Sequence, residues 1–150
     1  MPANVAFRPY SPADKQYCLD IFEGNCPEFF APNERAEYEK FLDSNSANYE
    51  VCCIGPIVVG AFGLIGNDAR TRNLNWILLN TKLQGSGIGS AIMERIMSLA
   101  RTLDLNCVSI AASHKSAAFF SRFGAICVES VNDGWGPGMH RINMELHLGQ

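Results

Sequence analysis

The run Gln84-Gly85-Ser86-Gly87-Ile88-Gly89-Ser90 carries the pattern with the clearest chemical capability in the chain. Three glycines in five positions strip side chains from a turn that feeds an apolar-periodic segment, leaving main-chain N–H groups uncovered. At a helix start such donors have no intrahelical partner and stand at the positive end of the helix dipole, so an anion can approach them closely. The stretch reads either as a cradle for a phosphate or as a tight turn into a helix. Two familiar nucleotide motifs do not fit. A dinucleotide-binding unit needs G-x-G-x-x-G after its first strand, with an acid about twenty residues further on at a strand end. Here the spacing is G-x-G-x-G past mid-chain, Ser90 holds the sixth position, and Asp104 ends a helical pattern. A Walker-type loop needs Gly-Lys-Ser/Thr, which does not follow.

The cysteines offer a second possible chemistry. Cys18, Cys26, Cys52, Cys53, Cys107 and Cys127 show no paired C-x-x-C spacing and mostly lie among apolar neighbours. They read as reduced thiols acting as small hydrophobes, and no metal is expected, because no two sit at zinc-ligand spacing with a histidine close by. A net charge of -3, a pI near 5.6 and the lack of any lysine–arginine cluster argue against a nucleic-acid surface. A charged small molecule remains compatible, since a few backbone amides hold a phosphate without a basic patch. No apolar run approaches the ~20 residues of a membrane span. Met1-Pro2-Ala3-Asn4 lacks the basic and apolar regions of a signal peptide. The expectation is a cytoplasmic protein, its 150 residues, 47% of them hydrophobic, forming one domain over 1–150.

These residues must be positioned by regular elements. Residues 5–8 fit a first strand closed by Pro9, and Ser11-Pro12-Ala13-Asp14 starts a helix that runs to about Asn25. Two prolines and Phe29-Phe30 make 25–32 a connecting loop. Asn33 can cap a charged helix over 34–42 with a solvated face. Residues 49–54 and 57–65, separated by Gly55-Pro56, read as an antiparallel hairpin, with Gly60 and Gly63 marking a bulge or a close backbone neighbour. A third strand over 74–79 ends at the glycine turn. Ile88, Ala91, Ile92, Ile96, Leu99 and Leu103 then form an amphipathic stripe. A buried strand over 106–111, a helix capped by Ser113 and running through Phe123, and two strands over 125–131 and 139–148 complete the order, the last two joined by a glycine-rich tip over 132–138. The result is a mixed α/β sheet covered by about four helices.

Placed between a strand and a helix, the 84–89 run resembles the Q/R-x-x-G-x-G/A signature of the GNAT superfamily of acetyltransferases. Ser113, Ala117, Phe119-Phe120 and Phe123-Gly124-Ala125 look like that family's second landmark, an Asn followed by a helix ending in Y-x-x-x-G-F. The order of elements also matches over nearly the whole chain. The resemblance implies a mostly antiparallel sheet whose fourth and fifth strands splay apart. It further implies that the amides of Gln84, Gly85, Ser86, Gly87, Ile88, Gly89 and Ser90 bind the pyrophosphate of acetyl-coenzyme A, and that the strand edge at Leu78, Leu79 and Asn80 pairs with its pantetheine arm. The thioester would sit in the gap, its carbonyl polarised by the Leu79 amide. Ser113 and Phe120 would border the cofactor. The function implied is N-acetylation of a primary amine on a small molecule or peptide, with no metal. The oligomeric state stays open, a homodimer being common in the family.

Two departures bear on the chemistry. Phe120 occupies the position where many family members carry a tyrosine as general acid, and Ser113 replaces the usual asparagine; Ser121 is adjacent but points elsewhere on a helix. Three readings follow: His114 and His140 serve as acid and base, a water chain moves the protons, or the domain binds acyl-coenzyme A without catalysis. Asn73 and Asn75 stand where some relatives carry a glutamate base and cannot take a proton, although either could hold water or substrate. Cys107 reads as core. By the resemblance, the 25–32 loop and the 132–140 hairpin flank the acceptor, so Phe29, Phe30 and Trp135 would wall a pocket while Glu28 or Asp133 attracts a cationic amine.

Overall fold

The structure, a computed structural model, describes residues 5–26, 28–44, 46–66, 68–83 and 85–148. Gln84 and Met1 to Asn4 therefore lie outside the described residues. The order is β1 (Val5–Pro9), α1 (Lys15–Gly24), α2 (Arg35–Ser44), β2 (Tyr49–Ile54), β3 (Ile57–Ile65), β4 (Thr71–Leu79), α3 (Ile88–Thr102), β5 (Cys107–Ser113), α4 (Ala117–Ser121), β6 (Ile126–Gly136) and β7 (Met139–His147). Seven strands form one sheet in the order β1-β2-β3-β4-β5-β7-β6. Every neighbouring pair is antiparallel except β4–β5, which is parallel and so needs a crossover, supplied by α3.

Both faces of the central strands are covered, which explains why β3 reads as a nearly unbroken apolar run rather than an alternating one. On one face Ile88, Ile92, Met93 and Ile96 of α3 and Phe120 of α4 pack against Cys52, Val59, Leu74, Val108 and Ile110. On the other, Cys18, Phe22, Tyr38 and Phe41 of α1 and α2 pack against Val51, Cys53, Ala61 and Leu78. Removing each such side chain from water contributes about 1.5–3 kcal/mol, so the helices hold the sheet from both sides. Gly60 is required at this crowding: a Cβ there would stand 2.9 Å from the Leu78 carbonyl and 3.0 Å from Ile92 Cδ1.

Several expectations shift for identifiable reasons. The strand read from residue 74 begins at Thr71, because Thr71 to Leu74 pair with Cys107 to Ile110. The helix read from Ser113 to Phe123 is only Ala117–Ser121. Ser113 is the last residue of β5, and its Oγ accepts the N–H groups of Lys115 and Ser116, capping a turn before the helix. Asn33 does not cap α2; the Glu34 carboxylate takes the Ala31 N–H at 2.9 Å instead. Leu103 is exposed, and Met93 and Ala100 take buried places on α3. The glycine-rich tip is mostly strand. Val131 pairs with Arg141 and Gly136 with Met139, so the extra residues form a bulge in β6 and only Pro137-Gly138 turn. Gly134 suits that bulge, since a Cβ would come within 2.6 Å of Arg141 Cβ.

At the sheet edge, Arg8 donates two bonds of 2.8 Å to the buried Asp14 carboxylate, which also accepts the Ser11 N–H at 2.9 Å. The Arg8 guanidinium holds the Asp14 carboxyl below its usual range, burial opposing it. A carboxyl with a depressed folded pKa stabilises the fold above its unfolded pKa of about 3.9, and that contribution is lost as pH falls through the folded value. Asp14→Asn is expected to cost about 1–3 kcal/mol at neutral pH in urea unfolding, and to flatten the loss of stability that the native protein shows on acidification below pH ~4.

Candidate active site

β4 and β5 pair only from Thr71–Cys107 to Leu74–Ile110, after which each runs on alone, β4 to Leu79 and β5 to Ser113. The strands thus open into a V, as the resemblance implied. A deformation of β4 accompanies the opening. Ala61 pairs with Leu78 and Gly63 with Asn75, so two steps of β3 oppose three of β4 and one extra residue bulges out. Trp76 sits in this bulge at φ +51°, the left-handed region, which costs a bulky residue about 1–3 kcal/mol.

The surroundings hold it there. The buried Tyr49 hydroxyl donates to the Trp76 carbonyl, and the Tyr38 and Tyr49 hydroxyls are 2.9 Å apart. The Trp76 ring packs at 4.9 Å from Tyr38 and about 6.3 Å from Phe30 and Phe41. Burial pushes both tyrosine hydroxyls far above their ordinary pKa, so they remain protonated donors.

Beyond the bulge, the Asn80 N–H donates to Val59 O. Its neighbour Leu79 therefore presents its backbone to the opposite edge, and Asn25 Nδ2 takes the Leu79 carbonyl at 3.0 Å while also donating to Ile21 O at 2.8 Å. In a strand the N–H of a residue points to the same side as its carbonyl, so the Leu79 N–H faces the V. Asn25 itself is buried and fixes the end of α1 to the end of β4.

The glycine turn lies at the wider end. Gly87 stands at the N-cap of α3 with φ +90°, and among the described residues no side chain caps this helix. The first intrahelical bond to Gly87 O comes from Ala91, which leaves the amides of Ile88, Gly89 and Ser90 directed outward from the helix start. Ser86 donates its N–H and its hydroxyl to Leu83 O, folding the turn. Gly89 allows α4 to approach: a Cβ would meet Phe119 Cε1 at 3.0 Å.

Together these elements enclose a cleft of about 1120 Å³. Leu78, Leu79, Gly85, Gly87, Gly89, Ser90, Ser113 and Phe120 border it, as do Phe29, Phe30, Asn75 and Trp135. Ile88 is buried beneath the wall, and Asn80 Oδ1 accepts the Lys82 N–H beside it. The 25–32 loop and the β6–β7 hairpin meet over one end. There Asn33 Nδ2 reaches Trp135 O at 3.4 Å, and Trp135 Nε1 donates to Ala112 O at 3.0 Å.

Other expected residues lie elsewhere. Glu28 and Asp133 are exposed and do not border the cleft, Asp133 accepting the Gly138 N–H instead. Neither His114 nor His140 borders it. Their rings lie 4.7 Å apart, His114 Nδ1 accepts the His140 N–H at 3.2 Å, and His140 Nδ1 accepts the Asp133 N–H at 3.0 Å. With both Nδ1 atoms occupied as acceptors, the His114 imidazole ties the hairpin to the end of β5 and the His140 imidazole ties the hairpin to itself through Asp133.

Three charged residues on the wall escaped the sequence reading. Glu34 is the only carboxylate among the lining residues described, 5% exposed, and burial raises its pKa against the opposing Ala31 hydrogen bond. It read as one of several helix charges; the signal available was its place three residues after Ala31, where a carboxylate reaches back to a main-chain N–H. Lys115 and Arg122 border the mouth from either side of α4. The cysteine reading also changes. All six thiols are free, as expected, but Cys107 lies against Glu145 and His147, so sequence spacing hid a thiol–imidazole neighbourhood.

The acetyltransferase (GNAT) family model matches residues 18–125. The chain belongs to this family. It is an acyltransferase, and Gly85 to Gly89 of the glycine landmark read from the sequence lie at the turn into α3. Among solved structures, Ard1 from Thermoplasma volcanium superposes with a TM-score of 0.82 at 15% identity, over 97% of this chain and 99% of that one. An aminoglycoside 6'-N-acetyltransferase complexed with coenzyme A gives 0.76 at 11% identity, over 97% and 98%. N-acetylglutamate synthase from Neisseria gonorrhoeae, complexed with coenzyme A and N-acetyl-glutamate, gives 0.76 at 13% identity, over all of this chain and 36% of that one. At such identities these likenesses establish the GNAT fold. No curated protein sequence matches the chain.

The bulge ties the β4 wall of the cleft to a distant hydroxyl. Tyr49→Phe is expected to destabilise the protein by about 1–3 kcal/mol in urea unfolding, because the Trp76 carbonyl and the Tyr38 hydroxyl lose their partner. Ligand affinity at the cleft should fall together with stability.

Proposed function

We propose that this single GNAT domain transfers the acetyl group of acetyl-coenzyme A to a primary amine of a small molecule or peptide by direct attack on the thioester. The observation that carries the reading is the conjunction of the V-shaped opening at Leu79 with the uncapped helix start at Gly87. The amides of Ile88, Gly89 and Ser90 would hold the pyrophosphate, with the Gly85–Gly87 turn giving close approach. Lys115 and Arg122 would meet the remaining phosphate charge at the mouth. The pantetheine arm would extend along the open edge of β4 against Leu79, Phe119 and Phe120. Structures of proteins similar to this chain complexed with coenzyme A support this donor.

At the far end the Leu79 N–H would polarise the thioester carbonyl as negative charge develops on its oxygen. Glu34 replaces Glu28 and Asp133 as the acid that attracts the cationic acceptor, between Phe29, Phe30 and Trp135. Burial raises its pKa, which makes the carboxylate a stronger base: it takes a proton from the ammonium, the neutral amine attacks the carbonyl carbon, and the C–S bond breaks. Phe120 has no proton to give, so the second proton, shed by the attacking nitrogen as the amide forms, passes through water to the departing thiolate. His114 and His140 act as ties of the hairpin rather than as acid and base.

Acetyl-coenzyme A, and not NAD, is expected to raise the melting temperature, and a panel of amines should release free thiol. Binding without thiol release for any amine would instead favour an acyl-coenzyme A-binding module. Glu34→Gln is expected to lower kcat by about 10²–10⁴-fold and to remove the acid limb of the pH–rate profile, along which the native rate rises as Glu34 deprotonates. His114→Ala and His140→Ala should keep that limb. Arg122→Ala should raise KM for acetyl-coenzyme A with little change in kcat.

A further inference from the structure

The outer face of the β5–β7 pair carries a second constellation that acetyl transfer does not use. Cys107 opens β5 directly across the ladder from His147, and Glu145 precedes His147 by two residues, so strand alternation turns all three side chains to one face. Their Sγ, imidazole nitrogen and carboxylate oxygen lie within 4.8 Å of one another, with Glu145 Oε1 and His147 Nε2 at 3.0 Å. Val108 and Leu146, at the alternating positions, belong to the core beneath α3 and fix the direction of the outer face. The backbone around the cluster is braced: the Leu148 N–H donates to Asn106 O at 2.9 Å and the Asn106 N–H to Arg70 O at 2.7 Å. This is the paired end of β4–β5, opposite the V.

Sulfur, imidazole nitrogen and carboxylate oxygen around one point suit a borderline-soft divalent ion, whereas hard ions take oxygen alone. In a tetrahedral zinc site with bonds of about 2.0–2.3 Å, ligand atoms stand roughly 3.3–3.8 Å apart. Contraction of the cluster by about 1 Å is within the rotamer freedom of Glu145 and the exposed His147. We propose that Cys107, Glu145 and His147 bind Zn²⁺ or a similar divalent transition ion, clamping the start of β5 to the end of β7 with a fourth position open to solvent. Binding forms the Sγ–metal bond, and the thiol proton leaves to solvent with no change of oxidation state.

The test uses the reduced, metal-free full chain titrated with Co²⁺. One ion per chain should produce a near-ultraviolet thiolate-to-cobalt charge-transfer band that Zn²⁺ bleaches by displacement. Cys107→Ser should abolish the band, and His147→Ala and Glu145→Gln should each weaken binding at least about tenfold, while Cys127→Ser keeps it. Circular dichroism confirms that each variant is folded. A band that survives Cys107→Ser, or no band in the native chain at saturating Co²⁺, overturns the proposal. Acetyl transfer is not a readout, so failure here leaves the acyltransferase reading untouched.

Discussion

A single hydrogen bond, from the Tyr49 hydroxyl to the Trp76 carbonyl, braces the bulge of β4 that walls the cleft. Trp76 holds a backbone conformation that a tryptophan resists, and in an isolated strand it would relax to an extended one. Tyr49, rooted in β2 and aligned by Tyr38 from α2, prevents that. The aromatic rings around Trp76 add apolar contact that does not depend on donor–acceptor geometry. Because the bulge turns β4 as it separates from β5, the face from which the Leu79 amide projects depends on residues two elements away.

The same economy recurs at Asn25. Its side chain spans from the end of α1 to the end of β4 and takes the carbonyl of the residue whose amide faces the V. The β4 wall of the cleft and the segment bearing Phe29, Phe30 and Glu34, which begins at Asn25, are therefore coupled through one carboxamide. The hairpin carrying Trp135 is fixed from the other direction, by the Asn33 and Ala112 contacts and by the two histidines.

The sequence made much of this legible where local signals suffice. The bounds of β2 and β3 follow from β-branched and apolar runs broken by Gly55-Pro56, and the two glycine landmarks located α3 and residues that line the cleft. The fold order followed from the same signals. What stayed hidden depends on partners remote in sequence. Asn75-Trp76-Ile77 reads as ordinary strand, because the hydroxyl that stabilises the bulge comes from Tyr49. Glu34 looks like a helix charge until Phe29, Phe30 and Trp135 close around it. The tip over 132–138 resembles a loop because glycines signal turns, whereas here Gly134 leaves room for Arg141 across the ladder.

The V beyond the short β4–β5 ladder has two sides with different evolutionary freedom. On the proposed donor side the groups that would hold the cofactor are main-chain amides, left unpaired among the described residues by the strands and helix. No ordinary substitution can delete a peptide N–H, and only proline removes one outright. On the proposed acceptor side recognition would rest on side chains, Glu34, Phe29, Phe30 and Trp135, each replaceable by a single codon change. On the proposed function drift can therefore rewrite which amine is accepted while the donor site persists, and a GNAT fold shared at 15% identity is the expected trace of such a history.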